Sequence, residues 1–174
     1  MKRAAAGIWI LLFSATGLAA QDAARADYFR SVASFFNLPA NEVAILSDWE
    51  IAPAEIPVVL FVARRAGVSP EALVALRSSG QSWAELTGRY RVTAAALHVP
   101  LRDDADARLL ADAYRDFRAT AVGDWPRIRL SDPMIIGLVN VRVLSQTLGL
   151  PPERVLAAAE PGVPWVALHA RLRR

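Results

Sequence analysis

The stretch Gly67-Val68-Ser69-Pro70-Glu71 occurs a second time as Gly149-Leu150-Pro151-Pro152-Glu153, 82 positions later and without a gap. The match continues in register over 67–90 and 149–172, where eight of 24 positions are identical and each copy contains one tryptophan. Repetition at a fixed spacing is typical of a duplicated structural unit, and it indicates architecture before it indicates chemistry. We therefore predict that the chain contains two similar helical modules.

Local signals in the first copy predict where its helices begin and end. Ser69-Pro70-Glu71 supplies a capping hydroxyl, a proline at the first helical position and an acid near the positive end of the helix dipole. In Ser82-Trp83-Ala84-Glu85, the serine and the glutamate are spaced to form a capping box. Gly67 is expected to end the preceding helix as a left-handed cap, and Gly80 is expected to end the next one.

The segments outside the two copies also have helical spacing. Residues 22–36 predict an amphipathic helix, and residues 42–46 predict a short one. A further amphipathic helix is expected to begin at Asp103, and its apolar face comprises Leu110, Tyr114 and Phe117. Residues 123–129 resemble an extended connector. Because no window alternates apolar and polar residues with period two, strands are not expected.

These signals predict an all-α fold, in which two similar three-helix modules pack into one compact domain. After a signal peptide at 1–19, the single helical domain would cover 20–174. The first module is assigned to 46–92, the connector with its own helix to 93–129, and the second module to 130–174. About 150 residues is enough chain for one domain with a substantial core.

The N-terminus has the layout of a secretory signal peptide. Met1-Lys2-Arg3 is a positive start, residues 4–13 form an apolar run, and Gly17-Leu18-Ala19 places small residues at −3 and −1 of a cut after Ala19. A cut after Ala20 is the alternative cleavage site. The competing interpretation is a retained anchor, but residues 4–20 are marginal for crossing a bilayer. We therefore expect a periplasmic or secreted protein that meets the membrane only through an uncleaved signal segment.

Charge and cysteine content exclude some classes of protein. Without the signal peptide the chain carries 18 arginines against 17 acidic residues, so its net charge is +1. A general nucleic-acid binder needs a concentrated basic face, and we therefore expect no nucleic-acid partner. The chain contains no cysteine, so its core must hold the fold without disulfides.

One segment nevertheless has the spacing of a DNA-binding helix-turn-helix. It covers 81–99, and its recognition helix would be 93–99. That helix presents Ala94, Ala95 and Ala96 where polar side chains should read base edges. Nucleic-acid binding is therefore kept only as a lesser alternative.

The sequence predicts no catalytic residue, no metal ligand and no cofactor. His98 and His169 are the only side chains that ordinarily titrate near neutral pH, and the repeat does not pair them. The acids at 103–106 are interpreted as the first turn of a helix, since their spacing does not fit a calcium loop. Carboxylate pairs such as Asp48 and Glu50 could serve as a glycosidase acid and nucleophile, but any chain with 17 acidic residues offers such pairs. A cell-wall-active hydrolase or its accessory factor, with no carboxylates singled out, is the main alternative function.

Aromatic and basic residues provide the candidate binding sites. Trp83 and Trp165 occupy matched positions, so we predict that both are core residues and not ligand platforms. The speculative binding residues are Trp125, Arg127 and Arg129, which lie in the connector and combine an aromatic ring with two forked donors. An envelope protein or an anionic envelope polymer is the partner that such residues would suit.

The chain also resembles a set of uncharacterised small secreted bacterial proteins. The residues that carry the resemblance are 55–59, Pro70-Glu71 and Ser82-Trp83, with Trp125-Pro126-Arg127-Ile128 and Pro152-Glu153-Arg154-Val155 later in the chain. The resemblance covers most of the mature chain, but a Gly/Tyr-rich stretch near 101–113 is missing. It implies an exported helical protein without a particular activity. We therefore expect an exported interaction protein of the cell envelope.

Overall fold

The computed structural model describes residues 13–39, 41–42, 45 and 48–174, and over these residues the fold is all-α, as predicted. The α-helices are α1 (Phe13–Phe36), α2 (Ile56–Ala66), α3 (Pro70–Ser78), α4 (Trp83–Arg89), α5 (Ala94–Leu97), α6 (Ala111–Ala119), α7 (Asp132–Leu148), α8 (Pro152–Ala158) and α9 (Trp165–Leu172). Three short 3₁₀ segments cover Pro53–Glu55, Arg108–Leu110 and Val122–Arg127.

Helix α7 is the centre of the molecule. It contacts α1, α2, α4, α5, α8 and α9, and most of its residues from Ile135 to Ser145 are buried. Gly137 permits a close approach, because a Cβ atom there would lie 2.7 Å from a methyl group of Leu110. A helix that is buried on most sides and contacts so many neighbours fixes the positions of the surface segments around it.

A buried polar residue of α7 connects two other parts of the fold to that helix. The Asn140 side chain is fully buried; its Oδ1 accepts a hydrogen bond from the Tyr28 hydroxyl of α1. Its Nδ2 donates to the Ala54 carbonyl at 2.9 Å and to the Ile136 carbonyl at 2.8 Å. Each polar group of this amide is thus satisfied, as a buried amide requires.

The matched glycines have matching backbone conformations. Gly67 (φ 68°, ψ 30°) ends α2, and Gly149 (φ 63°, ψ 31°) ends α7, both in the left-handed region predicted for a C-cap. Gly80 and Gly162 also share positive φ angles, 95° and 81°. The helices that follow begin at equivalent residues in the two copies. These angles agree with a duplicated unit, while the division into two modules stays a prediction.

The copies differ in their caps and in the burial of their tryptophans. Ser69 accepts a hydrogen bond from the Ala72 amide, and Ser82 forms the predicted capping box with Glu85. Proline replaces both serines in the second copy, where neither helix has a side-chain cap. The core prediction is confirmed for the fully buried Trp83, whereas Trp165 is only partly buried.

Two predictions for the central segment were wrong. No helix begins at Asp103, because Asp106 Oδ1 accepts a hydrogen bond from the Arg108 amide and so favours a turn over a helix. The α-helix starts only at Ala111, although Leu110, Tyr114 and Phe117 are buried as expected. Residues 123–129 are likewise not extended throughout, since Val122–Arg127 is a 3₁₀ turn closed by an Asp124–Arg127 ion pair of 2.8 Å.

Helix α1 begins earlier than predicted and runs across the predicted cleavage site after Ala19. Its core residues, from Tyr28 to Phe36, all follow that site, so cleavage there would leave the packed part of α1 in place. Residues 1–12 and the inward positions Val43 and Leu46 of the predicted 42–46 helix lie outside the described residues. Within the described part, no single helix is long and apolar enough to span a membrane; α7 and α8 meet both criteria only together, with a bend of 115° between them.

Candidate functional site

The predicted binding residues lie together, but they play different parts. The Trp125 ring is half-buried, and its Nε1 donates to the Phe117 and Thr120 carbonyls, each at 3.0 Å. Its centroid is 4.3 Å from that of His98, which also contacts Phe117 at 4.7 Å. Trp125 therefore anchors the connector against α5 and α6, which leaves the two arginines as the exposed members of the predicted set.

Arg127 and Arg129 are both exposed on the outer side of the connector. Arg127 pairs with Asp124 at 2.8 Å, although its side chain remains 85% exposed. Arg129 forms no ion pair with any described residue. A guanidinium that projects from a fixed main chain and keeps free donors is suited to binding a carboxylate or phosphate.

A groove of about 600 Å³ lies between the connector and helices α4 and α5. Val92, Leu97 and Leu130 line its floor, and Arg91, Arg127 and Arg129 line its rim. We call this feature the arginine-rimmed groove. It places the two predicted arginines on one surface with the adjacent Leu130 and with Val92 and Leu97, which are 30 or more positions away in the chain.

Arg91, the third arginine of the rim, was not among the binding residues predicted from the sequence. It follows α4 in a left-handed turn (φ 56°), and its amide donates to the Gly88 carbonyl at 3.3 Å. The only signal in the sequence was its place after a short amphipathic helix. Its proximity to Arg129 arises from the packing of α4 beside the connector, which no local pattern reveals.

The acidic side chains near the groove already have partners. Asp132 accepts a hydrogen bond from the Ala84 amide at 3.0 Å and pairs with Arg77 at 3.4 Å. Glu85 is bound to Ser82 in the capping box, which lowers the pKa of its carboxyl group. Arg91 and Arg129 consequently have no ion-pair partner in the described structure, and the groove has an excess of positive charge.

The main chain beside the groove is also incompletely hydrogen-bonded. Ile128 (φ −61°, ψ 131°) and Ser131 (φ −77°, ψ 164°) are both extended. Between them, the exposed Arg129 has an N–H and a C=O group without a partner among the described residues. These groups can exchange hydrogen bonds with water or with another chain.

A second surface combines acids and arginines without the properties of a hydrolase site. Glu153 accepts a hydrogen bond from the Arg102 amide at 2.9 Å, and this contact holds the pKa of the Glu153 carboxyl group below its usual value. Nearby, Arg108 pairs with Asp106 at 3.4 Å. A glycosidase acid instead needs a raised pKa to remain protonated. Asp48 and Glu50, the example of a carboxylate pair in the sequence, are both exposed.

Ser31 and His169 form the contact that most resembles a nucleophile and its base. Ser31 Oγ lies 2.8 Å from His169 Nε2, but the imidazole is fully buried and its Nδ1 has no hydrogen-bond partner in the described part of the chain. In a catalytic triad an acid bonds this second nitrogen and orients the ring. The pair therefore connects α1 to α9, and we assign it no catalytic role.

The remaining features are the expected recognition helix, the basic C-terminus and the side chains that could bind a metal ion. The expected recognition helix, 93–99, is only the four-residue α5, whose Ala94 and Leu97 are buried. Arg171, Arg173 and Arg174 form a basic C-terminus in the sequence, which is a second candidate patch for an anionic lipid or polymer. In the structure Arg171 pairs with Glu160 at 3.0 Å and Arg173 pairs with Asp27 at 2.7 Å. The described residues contain no group of three or more His, Cys, Asp or Glu side chains placed to hold a metal ion.

No family model matches this chain, and no match was found among curated proteins or among solved structures. The resemblance to small secreted bacterial proteins consequently stays a prediction.

We predict that stability falls as the pH is lowered through the histidine range. Loss of hydration, then the charges of Arg173 and Arg30, lower the pKa of His169 in the folded chain. Below about pH 6.5, the His169 imidazole of the unfolded chain therefore takes up a proton before that of the folded chain. The part of the free energy of unfolding that this imidazole contributes above about pH 6.5 is consequently lost on acidification. Urea unfolding at pH 7.5 and pH 5 should show this loss, and a smaller one in His169→Gln.

His98→Gln is the companion variant for that experiment, because it replaces the other histidine of the chain. The pKa of His98 is also lowered, by burial first and by Arg142 second, so this variant should remove a further part of the pH dependence. Equal pH slopes for wild type and His169→Gln would contradict the assignment to the buried imidazole.

Proposed function

We propose that this chain is an exported binding protein of the bacterial cell envelope, which holds a negatively charged partner in the arginine-rimmed groove. The observation that carries the proposal is the pair Arg91 and Arg129, which are both exposed, line the same groove as an apolar floor and are free of ion pairs with the described residues. Free arginines beside apolar surface are typical of contact hot spots.

The charge balance supports a local site over general adhesion. The mature chain has a net charge of only +1, and most acids near the groove are engaged with neighbours. The attraction for an anion is therefore concentrated at the rim and weak elsewhere. A partner would be selected by charge and by the shape of the groove together.

Export is the second part of the proposal, and the signal-peptide pattern at 1–19 supports it. The core residues of α1 begin at Tyr28, so the folded domain does not depend on the segment that would be removed. We expect the protein recovered from the periplasm to begin at Ala20 when its N-terminus is sequenced. Ala19→Phe should block the cut, since −1 requires a small residue. Wild-type protein that starts at Met1 in the membrane fraction would contradict cleavage.

Capture from intact cells tests the binding role. C-terminally tagged wild-type protein, Arg91→Glu/Arg129→Glu and Arg154→Glu are crosslinked in the envelope and recovered with their partners. Arg154 is the matched control because it is exposed and unpaired in the described structure but lies on α8, away from the groove. We expect the double variant to lose at least about 90% of the wild-type partner, a tenfold change, which corresponds to about 1.4 kcal/mol.

Each result of the capture has a definite meaning. Retention by Arg154→Glu together with loss by the double variant supports the groove. Equal recovery by all three proteins would remove the groove from the proposed function. Circular dichroism of the variants controls for folding, and little change is expected because the substituted side chains are exposed.

A further inference from the structure

We propose that the occupant of the arginine-rimmed groove is an extended, acidic segment of another protein, which pairs its main chain with Arg129. This inference rests on the proposed function and specifies the partner class. A peptide is the occupant we expect because three features occur together: the unpaired main-chain groups of Arg129, an apolar floor, and two arginines without ion pairs among the described residues.

The main chain is the feature that favours a peptide over other anions. Ile128, directly before Arg129, and Ser131, two positions after it, both have an extended backbone. The N–H and C=O groups of Arg129 have no partner among the described residues. In antiparallel pairing, one residue exchanges both of these bonds with the residue opposite. A phosphate or sulfate polymer can accept from the N–H group, but it lacks the amide that would donate to the C=O group.

The charge of the rim selects the side chains of that peptide. Arg91 and Arg129 are without an acidic partner in the described structure, and Arg127 adds a guanidinium that Asp124 satisfies only in part. Aspartate or glutamate carboxylates form forked hydrogen bonds with such groups. A basic or neutral peptide would leave the same donors to water.

The floor adds a requirement for apolar side chains. Val92, Leu97 and Leu130 lie beneath the rim, and alternate side chains of an extended chain point to opposite faces. A segment that alternates acidic and apolar residues can therefore place its apolar face on the floor and still present carboxylates to the rim. This mode of recognition resembles strand addition, in which the main chain supplies affinity and alternate side chains supply specificity.

A synthetic peptide tests the proposal directly. The probe is a capped, fluorescein-labelled octapeptide of alternating glutamate and leucine, added to the full mature protein and followed by anisotropy. Comparison peptides replace glutamate by lysine, replace leucine by serine, or carry N-methyl groups on the main chain. We expect saturable binding of the first peptide and binding at least about tenfold weaker for each comparison peptide.

Protein variants complete the test. Arg91→Glu/Arg129→Glu should weaken binding of the glutamate–leucine peptide at least about tenfold, and Arg154→Glu should change it less than about twofold. Absence of binding, equal binding of the N-methylated peptide, or an equal loss in Arg154→Glu would overturn the inference.

Other polyanions separate this inference from the proposed function. Dextran sulfate is a polyanion without a peptide main chain, and duplex DNA tests the nucleic-acid alternative. Binding of either probe that requires Arg91 and Arg129, together with no binding of the octapeptide, would overturn the peptide proposal. The proposed function would survive the dextran sulfate result, because it requires only an anionic envelope partner, whereas the DNA result would count against it.

Discussion

The buried amide of Asn140 is the constraint from which the arrangement of this fold follows. It forms all its hydrogen bonds with Tyr28, Ala54 and Ile136, and these bonds require α1, the turn before α2 and α7 to keep their observed relative positions. Losing a partner from a buried amide costs about 1–3 kcal/mol. That penalty favours this one arrangement over others with similar apolar burial.

The groove is positioned by contacts to the same central helix. Arg77 forms a forked ion pair with Glu55, at 2.9 Å and 3.0 Å, and also reaches Asp132 at the start of α7. Asp132 in turn accepts a hydrogen bond from the Ala84 amide of α4, which forms one wall. On the opposite wall Trp125 holds the connector. Contacts to the rest of the fold therefore position the main chain that carries Arg91 and Arg129, and a main chain fixed in advance would lose less entropy on binding.

The local parts of this structure could be predicted from sequence, because their causes lie within a few residues. The cap at Ser82, the left-handed Gly67 and the start of α3 all depend on neighbours in the chain. The segment at 103–110 could not be predicted in this way, since Asp106 competes for a backbone amide and favours a turn. Arg91 was missed because its role depends on packing against residues more than 30 positions away.

The two copies of the repeat place an equivalent arginine in different surroundings. At the offset of 82 positions, Arg91 corresponds to Arg173, which pairs with Asp27 at 2.7 Å and helps to hold α1. In the first copy the equivalent arginine has no ion-pair partner among the described residues and lies on the groove. The same residue type thus stabilises the fold in one copy and lines the proposed binding groove in the other.

Amide hydrogen exchange measured by NMR, with and without the glutamate–leucine octapeptide, tests the central claim most directly. Arg129 is exposed and its amide has no partner among the described residues, so this amide should exchange rapidly in the free protein and become protected when a peptide main chain pairs with it. The buried amides of α7 should be unchanged. Unaltered exchange at Arg129 at saturating peptide, with protection appearing elsewhere, would contradict the account.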